Sequence, residues 1–172
     1  LPTMITEVTE MGDRNALILS TIKSATRGTR QVLVLSDRRA HCEWLHERFK
    51  ETSGLYMGGM KEVELTKSSG KQIIFATFSQ AHEGLDIPTL DTVILATPKS
   101  DIIQSIGRIM RETSGKKNNP RIYDVVDQWS VFFAMYNKRL RVYKQGGFNI
   151  AGQSSEKPKP SAFSVGKCLI HI

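Results

Sequence analysis

The sequence predicts an α/β domain with a mostly parallel β-sheet flanked by helices, and three observations carry that expectation. Five short apolar runs of strand type, at residues 31–36, 55–57, 72–76, 92–96 and 121–126, alternate with stretches whose apolar residues recur at helical spacing. Such an order calls for crossover connections and parallel pairing. The first strong run, Gln31-Val32-Leu33-Val34-Leu35-Ser36, is continuously apolar at its centre, as a strand covered on both faces must be. The chain of 172 residues, 40% of them hydrophobic, is long enough for one domain with its own core and too short for two comfortable ones.

Taken in order, residues 1–12 show no strong period, contain an early proline and several threonines, and read as a linker or extended arm. Asp13 is a plausible cap for a helix that carries Ile18, Ile22 and Ala25 on one face and ends near Gly28. After the strand at 31–36, Asp37 caps a second helix, in which Cys42, Leu45 and Phe49 repeat at core spacing with Trp44 beside them. Leu55-Tyr56-Met57 reads as a strand turning into a loop at Gly58-Gly59, and residues 61–67 as a brief helix. A polar loop containing Gly84 joins the strands at 72–76 and 92–96, and residues 101–111 form the next helix. A lysine-bearing loop, 114–119, leads to the strand at 121–126. From Gln128 a helix buries Phe132 or Phe133, Tyr136 and Leu140, with Lys138, Arg139 and Arg141 around them, until Gly146-Gly147 breaks the pattern. Residues 151–161, rich in Ser, Lys and Pro, read as a flexible linker, and 162–172 as a short strand or a free tail. The expected organisation is therefore an arm over 1–12, a domain over 13–149, and a linker with tail over 150–172.

Composition narrows the function classes. The formal net charge is +7, from 24 Lys+Arg against 17 Asp+Glu, a balance that suits a polyanionic partner without demanding one. Cys42 and Cys168 lie far apart with no metal-ligand spacing, so neither a disulfide framework nor a zinc site is expected, and a reducing compartment is the simpler setting. No apolar run approaches the ~18 residues of a membrane span, and no leader pattern opens the chain. The expectation is a soluble, unsecreted protein. Its start at Leu1, without methionine, suggests a piece of a longer chain.

The helix at 101–111 carries the chemistry. At 100° per residue, Ile102, Ile103, Ile106, Ile109 and Met110 fall on one side, while Gln104, Gly107, Arg108 and Arg111 gather opposite. Two guanidiniums one turn apart fit phosphate oxygens bidentately, and the glycine lets a ligand approach the backbone closely. Upstream, the strand ending Ala76-Thr77 runs into Gly84-Leu85-Asp86-Ile87-Pro88, and a second strand leads to Gln104-Ser105-Ile106-Gly107-Arg108-Ile109-Met110-Arg111.

These two stretches resemble motifs V and VI of superfamily 2 helicases, in that family's order, and the strand and helix at 31–49 resemble its motif IV region. The resemblance covers about residues 13–145 and is strongest over 72–112. It implies the RecA-like three-layer fold and a second-domain role in an ATP-dependent nucleic-acid motor. Thr77 would then touch the phosphate backbone of bound DNA or RNA, and Gly84 and Asp86 would lie against the ATP sugar. Arg108 and Arg111 would reach the γ-phosphate, with Arg111 matching the arginine finger, while Gln104 would bridge them to the nucleotide or the partner domain. As readings of the residues alone, Thr77 is also a strand-end cap and Asp86 a turn residue. His82 and Glu83 lack a third partner and read as solvated rather than as a general-acid pair. The His-Arg opening of the DEAD-box motif VI is missing, which turns the resemblance towards DExH-type, UvsW-like and XPB-like helicases, including those of large cytoplasmic DNA viruses. The implied setting is intracellular, nuclear or cytoplasmic, and the host cytoplasm for a viral protein.

What the sequence lacks is equally informative. Gly70-Lys71-Gln72, Gly115-Lys116-Lys117 and Gly166-Lys167-Cys168 all fail the phosphate-loop pattern, and no Asp-Glu box is present to hold magnesium. The expectation is a half-site, with ATP and Mg held mainly by an N-terminal RecA-like domain of the same protein, and no hydrolysis by this chain alone. Two alternatives stay open: a translocase that remodels complexes without separating strands, and a nucleic-acid-binding module with no ATP-linked role.

Overall fold

The computed structural model describes residues 1–107 and 118–151, and the backbone of residues 165–171. Five strands, β1 (Val32–Ser36), β2 (Ser53–Tyr56), β3 (Ile73–Thr77), β4 (Thr92–Leu95) and β5 (Arg121–Asp127), pair in parallel in the order β2-β3-β1-β4-β5. Beyond β5 the sheet continues antiparallel through β7 (Val165–His171) to β6 (Asn149–Ala151). The helices are α1 (Pro2–Glu10), α2 (Gly12–Ala25), α3 (Arg39–Glu47), α4 (Glu62–Ser69), α5 (Phe78–Glu83), α6 (Ile103–Gly107) and α7 (Ser130–Gln145).

Two apolar layers sandwich the sheet because the side chains of each strand alternate between faces. Val32, Val34, Ile73, Phe75, Ile94, Ala96, Tyr123 and Val125 pack with Ile18 and Ile22 of α2 and Cys42 and Leu45 of α3. The complementary set, Leu33, Leu35, Ile74, Ala76, Val93, Leu95, Ile122 and Val126, packs with Phe78 and Ala81 of α5, Ile106 of α6, and Tyr136 and Tyr143 of α7. The expected α/β sheet with helices on both faces is thus present. At Gly54 a Cβ would sit 2.7 Å from the Ser68 backbone, so β2 and α4 approach as closely as they do only with glycine there.

Several local expectations change. Residues 2–10 are not an extended arm but α1, whose Ile5 and Val8 are buried against Phe132 of α7, flanked by Met4, Met11, Trp129 and Met135. Only one short apolar stripe marks this helix, and the threonines between its members hide the period. Met11 rather than Asp13 occupies the N-cap of α2; Asp13 sits in its first turn, where a carboxylate still favours the helix dipole. Arg38, not Asp37, precedes α3 as its N-cap. The loop after β3 opens with the six residues of α5. Within 150–172, residues 150–151 belong to β6 and 165–171 to β7, so those parts of the expected linker and tail are sheet. Ile102, just before α6, and Ile106 within it are buried as expected, whereas Ile103 is 56% exposed, turned about 100° from Ile102 and about 60° from Ile106. Leu140 of α7 is half-buried, and it is Arg139 that enters the interior.

Candidate functional site

Parallel register brings the carboxyl ends of β1, β3 and β4 to one edge: Ser36 pairs with Thr77, and Leu35 with Leu95. At β1 the strand order reverses, with β3 on one side and β4 on the other, and open α/β sheets bind their ligands at such a reversal. The Asp37 N–H donates to Thr97 Oγ1 at 2.8 Å, tying the two strand ends together. The Asp37 carboxylate accepts from Lys99 Nζ and from Arg38 Nη1, both at 3.0 Å. These are partly exposed pairs that orient side chains and add little stability.

The segment leaving β4 is held from the interior by two buried arginines. Arg14 of α2 forks onto Asp127 through Nε and Nη2, at 2.7 and 2.9 Å, and its Nη1 donates to the Ala96 carbonyl. Arg139 of α7 forks onto Asp124 at 2.7 and 2.8 Å and donates through Nη1 to the Lys99 carbonyl at 2.6 Å. The Tyr143 hydroxyl donates to Asp124 Oδ2 at 2.8 Å. Burial opposes charge on Arg139, but the Asp124 carboxylate outweighs it and holds the guanidinium above its ordinary range, while burial first and Asp124 second push the Tyr143 phenol up. Two charge-assisted forks therefore fix residues 96–99, the segment that launches α6.

Around α5 and α6 lie the described candidate residues. Thr77 ends β3 and caps α5, its Oγ1 accepting from the Gln80 N–H at 3.3 Å and lying 3.1 Å from Ser79 Oγ, so the strand-end capping reading is realised. After α5, Leu85 and Ile87 are buried while Gly84 and Asp86 are exposed, an alternation that anchors the turn and presents its polar members to solvent. A Cβ at Gly84 or Gly107 would meet nothing within 4 Å, so no contact within the described residues requires glycine at either position. Gln104 is exposed on α6 and accepts a hydrogen bond from His82 Nε2 on α5, giving His82 a partner it lacked in the sequence reading. The structure thus brings Gln104 to the segment just before Gly84 and Asp86. Arg108 and Arg111 lie outside the described residues.

Sequence reasoning missed the buried network. Asp124 and Asp127 interrupt an otherwise apolar strand, a signal that buried acids need partners, and Arg14 and Arg139 read as surface charges. Also missed is a buried chain in which Ser36 Oγ lies 3.0 Å from His41 Nδ1, His41 Nε2 lies 2.9 Å from Asn15 Oδ1, and Asn15 Nδ2 donates to the Thr9 carbonyl. The neutral Nε2–H tautomer satisfies every member, and burial, then Arg14, lower the His41 pKa from 6.5 to about 4. Burial pushes the Cys42 thiol up to about 12, which suits a packing role. Among the described residues no group of three or more His, Cys, Asp or Glu could hold a metal ion, and no helix is long and apolar enough to cross a membrane.

Comparison with known proteins adds an independent line. The helicase conserved C-terminal domain family matches residues 13–113. An Acanthamoeba polyphaga mimivirus protein named "Putative ATP-dependent RNA helicase" is 38% identical over 148 residues, covering 83% of this chain and 28% of that protein. The chain spans under a third of the length of the curated relatives it matches. Among solved structures, the C-terminal domain of the DEAD-box protein Dbp5 superposes with a TM-score of 0.59 at 17% identity, covering 80% of each chain. T4 UvsW gives 0.58 at 18% identity, over 84% of this chain and 35% of that one. At such identities the superpositions show the fold, which is RecA-like.

Proposed function

This chain belongs to the helicase conserved C-terminal domain family, and on that premise we propose that it is the second RecA-like domain of an ATP-dependent superfamily 2 nucleic-acid helicase. It supplies Gly84, Asp86, Gln104, Gly107, Arg108 and Arg111 to an ATP site that a domain bearing the phosphate loop and the magnesium-binding acids completes. Thr77 contacts the nucleic-acid backbone. The name of the mimivirus relative makes RNA the first substrate to test.

One observation carries most weight: Gly84 and Asp86 stand exposed on a turn anchored by Leu85 and Ile87, immediately after the helix whose His82 meets Gln104. Gly84 closes α5 as its C-cap, its N–H donating to the Gln80 carbonyl, and Asp86 projects to solvent beyond it. A carboxylate there accepts from ribose hydroxyls, and a glycine admits the sugar. The roles of the residues follow from charge and timing. Arg111 acts as negative charge redistributes on the transferring phosphoryl group, and Arg108 and Gln104 position it. The buried Arg14–Asp127 and Arg139–Asp124 forks hold the Ala96 and Lys99 carbonyls in the segment that leads to α6, and so constrain how the guanidiniums are presented when the two domains close.

Binding of homopolymeric oligo-U and oligo-dT to this chain tests the reading. Affinity should be weak, indifferent to base order and steeply salt-dependent, because the contacts are mainly to phosphates. The chain alone should release no phosphate from ATP. Salt-independent binding, or hydrolysis by the chain alone that Arg111→Ala abolishes, would require another assignment.

A further inference from the structure

We propose that Trp44 and Arg48 form a base-stacking subsite for an unpaired nucleotide, on a cleft beside the sheet edge that the motif residues do not reach. The inference rests on the nucleic-acid reading above and adds to it a contact with a base, where that reading invokes only phosphates and sugar.

The cleft lies between α1, the start of α2 and α3, with a volume of about 670 Å³. Ala16, Leu19, Ala40 and Trp44 are its apolar lining, and the buried Asn15 and His41 line it where it meets the core. Trp44 is 37% exposed and is the one aromatic among the exposed large hydrophobic residues described; the others are aliphatic. The Arg48 guanidinium lies over the indole, 3.2 Å from the ring centroid, and its Nη1 donates to the Trp44 carbonyl at 2.7 Å. An indole held at a fixed angle by an arginine is a rigid platform that loses little freedom when a base stacks on it.

Charge and continuity identify the occupant. Arg38 and Arg48 both line the cleft, against the single carboxylate of Glu10. Arg38 also lines a second cavity, of about 410 Å³, together with Asp37, Pro98 and Lys99 at the ends of β1 and β4. Arg38 therefore lines both cavities, and a strand that follows the ends of β1 and β4 can pass from one into the other; in the second, Lys99 and Arg38 stand beside the carboxylates of Asp37 and Asp101. A flat π-faced base matches the indole–guanidinium platform of Trp44 and Arg48, which an aliphatic peptide would leave unused; Arg38 is already held by the Asp37 carboxylate, Thr6 Oγ1 and the Pro2 carbonyl, so a phosphate beside the base meets Arg48 first. Unpaired bases of RNA and DNA share this chemistry.

The test compares the chain with its Trp44→Leu and Trp44→Phe variants, using oligo-U, oligo-dT and an abasic deoxyribose-phosphate oligomer of equal length. In the unaltered chain, oligo-U or oligo-dT should quench tryptophan fluorescence and bind more tightly than the abasic oligomer. Trp44→Leu should weaken binding to the base-bearing strands by roughly tenfold, as the loss of one stacked base does. It should leave the salt slope and the affinity for the abasic oligomer unchanged, and Trp44→Phe should retain most of the binding. The tighter of the two base-bearing arms identifies the sugar. If the chain binds with a steep salt slope but Trp44→Leu binds equally well, the subsite is overturned and the phosphate reading stands. If no strand binds at all, both fall.

Discussion

At the scale of single residues, the behaviour of this domain is set by groups that have left water. His41 is neutral in the fold, with its pKa lowered from 6.5 to about 4 by burial and then by Arg14. The unfolded chain therefore binds a proton on His41 that the folded chain refuses. Its contribution to stability is complete above pH 6.5 and is lost as pH falls towards 4, by about 3 kcal/mol in all. Urea midpoints measured from pH 7 to pH 4 should fall more steeply for the unaltered chain than for His41→Gln, and parallel curves would remove His41 from the account. The Arg139–Asp124 pair carries a different expectation. Removing one partner leaves the other as an uncompensated buried charge, so Arg139→Met should cost about 3–5 kcal/mol by denaturant unfolding. Arg139→Met with Asp124→Asn should recover part of that loss, because the orphaned carboxylate is then gone, although the Lys99 carbonyl still lacks its donor. A double variant no more stable than the single one would mean that the lost donor to Lys99, not the charge, dominates. Neither arginine was legible as buried from the sequence, since a charge among polar neighbours has no local mark of its distant partner; Asp127 lies 113 positions from Arg14.

Among the elements, the strands were the most legible, because a sheet covered on both faces leaves continuous apolar runs such as 32–35 and 73–76 that few other structures need. Helix beginnings were less so. Met11 and Arg38 occupy N-caps without a side-chain hydrogen bond, while Asp13 and Asp37, the better capping types, serve the first turn of α2 and the pairing with Lys99 and Arg38. Tertiary contacts outweighed capping preference at both places. Helix α1 escaped notice because its burial depends on aromatic residues of α7 more than a hundred positions away. Helix α6 offers the clearest test at this scale, since its two neighbouring isoleucines differ in burial: Ile106 is 3% exposed and Ile103 is 56% exposed. Ile106→Ala should destabilise by about 2–5 kcal/mol, and Ile103→Ala by no more than about 0.5 kcal/mol, in chemical denaturation. Equal losses would mean that α6 is rotated from the orientation described here.

For the whole molecule, the parallel sheet gathers several strand ends at one edge. Five parallel strands deliver Thr77, Thr97 and the segment before α6 to the same side, and family membership was legible in the sequence from the two linked motifs at 76–88 and 104–111. The site itself was legible only in part: the sequence marked Gly84, Asp86 and Gln104, which the structure places on the surface, whereas the buried forks near them depend on three-dimensional pairing. The central claim is that this domain contributes an arginine to phosphoryl transfer at a site shared with a second domain. Arginine fingers raise turnover by roughly 10³- to 10⁵-fold, and their effect lies in the transition state more than in ground-state binding. The most direct measurement is therefore the steady-state ATPase rate and the ATP affinity of Arg111→Ala in a protein that joins this domain to its phosphate-loop domain. The account predicts a fall in turnover of at least about 10³-fold, with folding intact and ATP affinity changed far less. Turnover near that of the unaltered protein, or a loss that merely tracks unfolding, would contradict it.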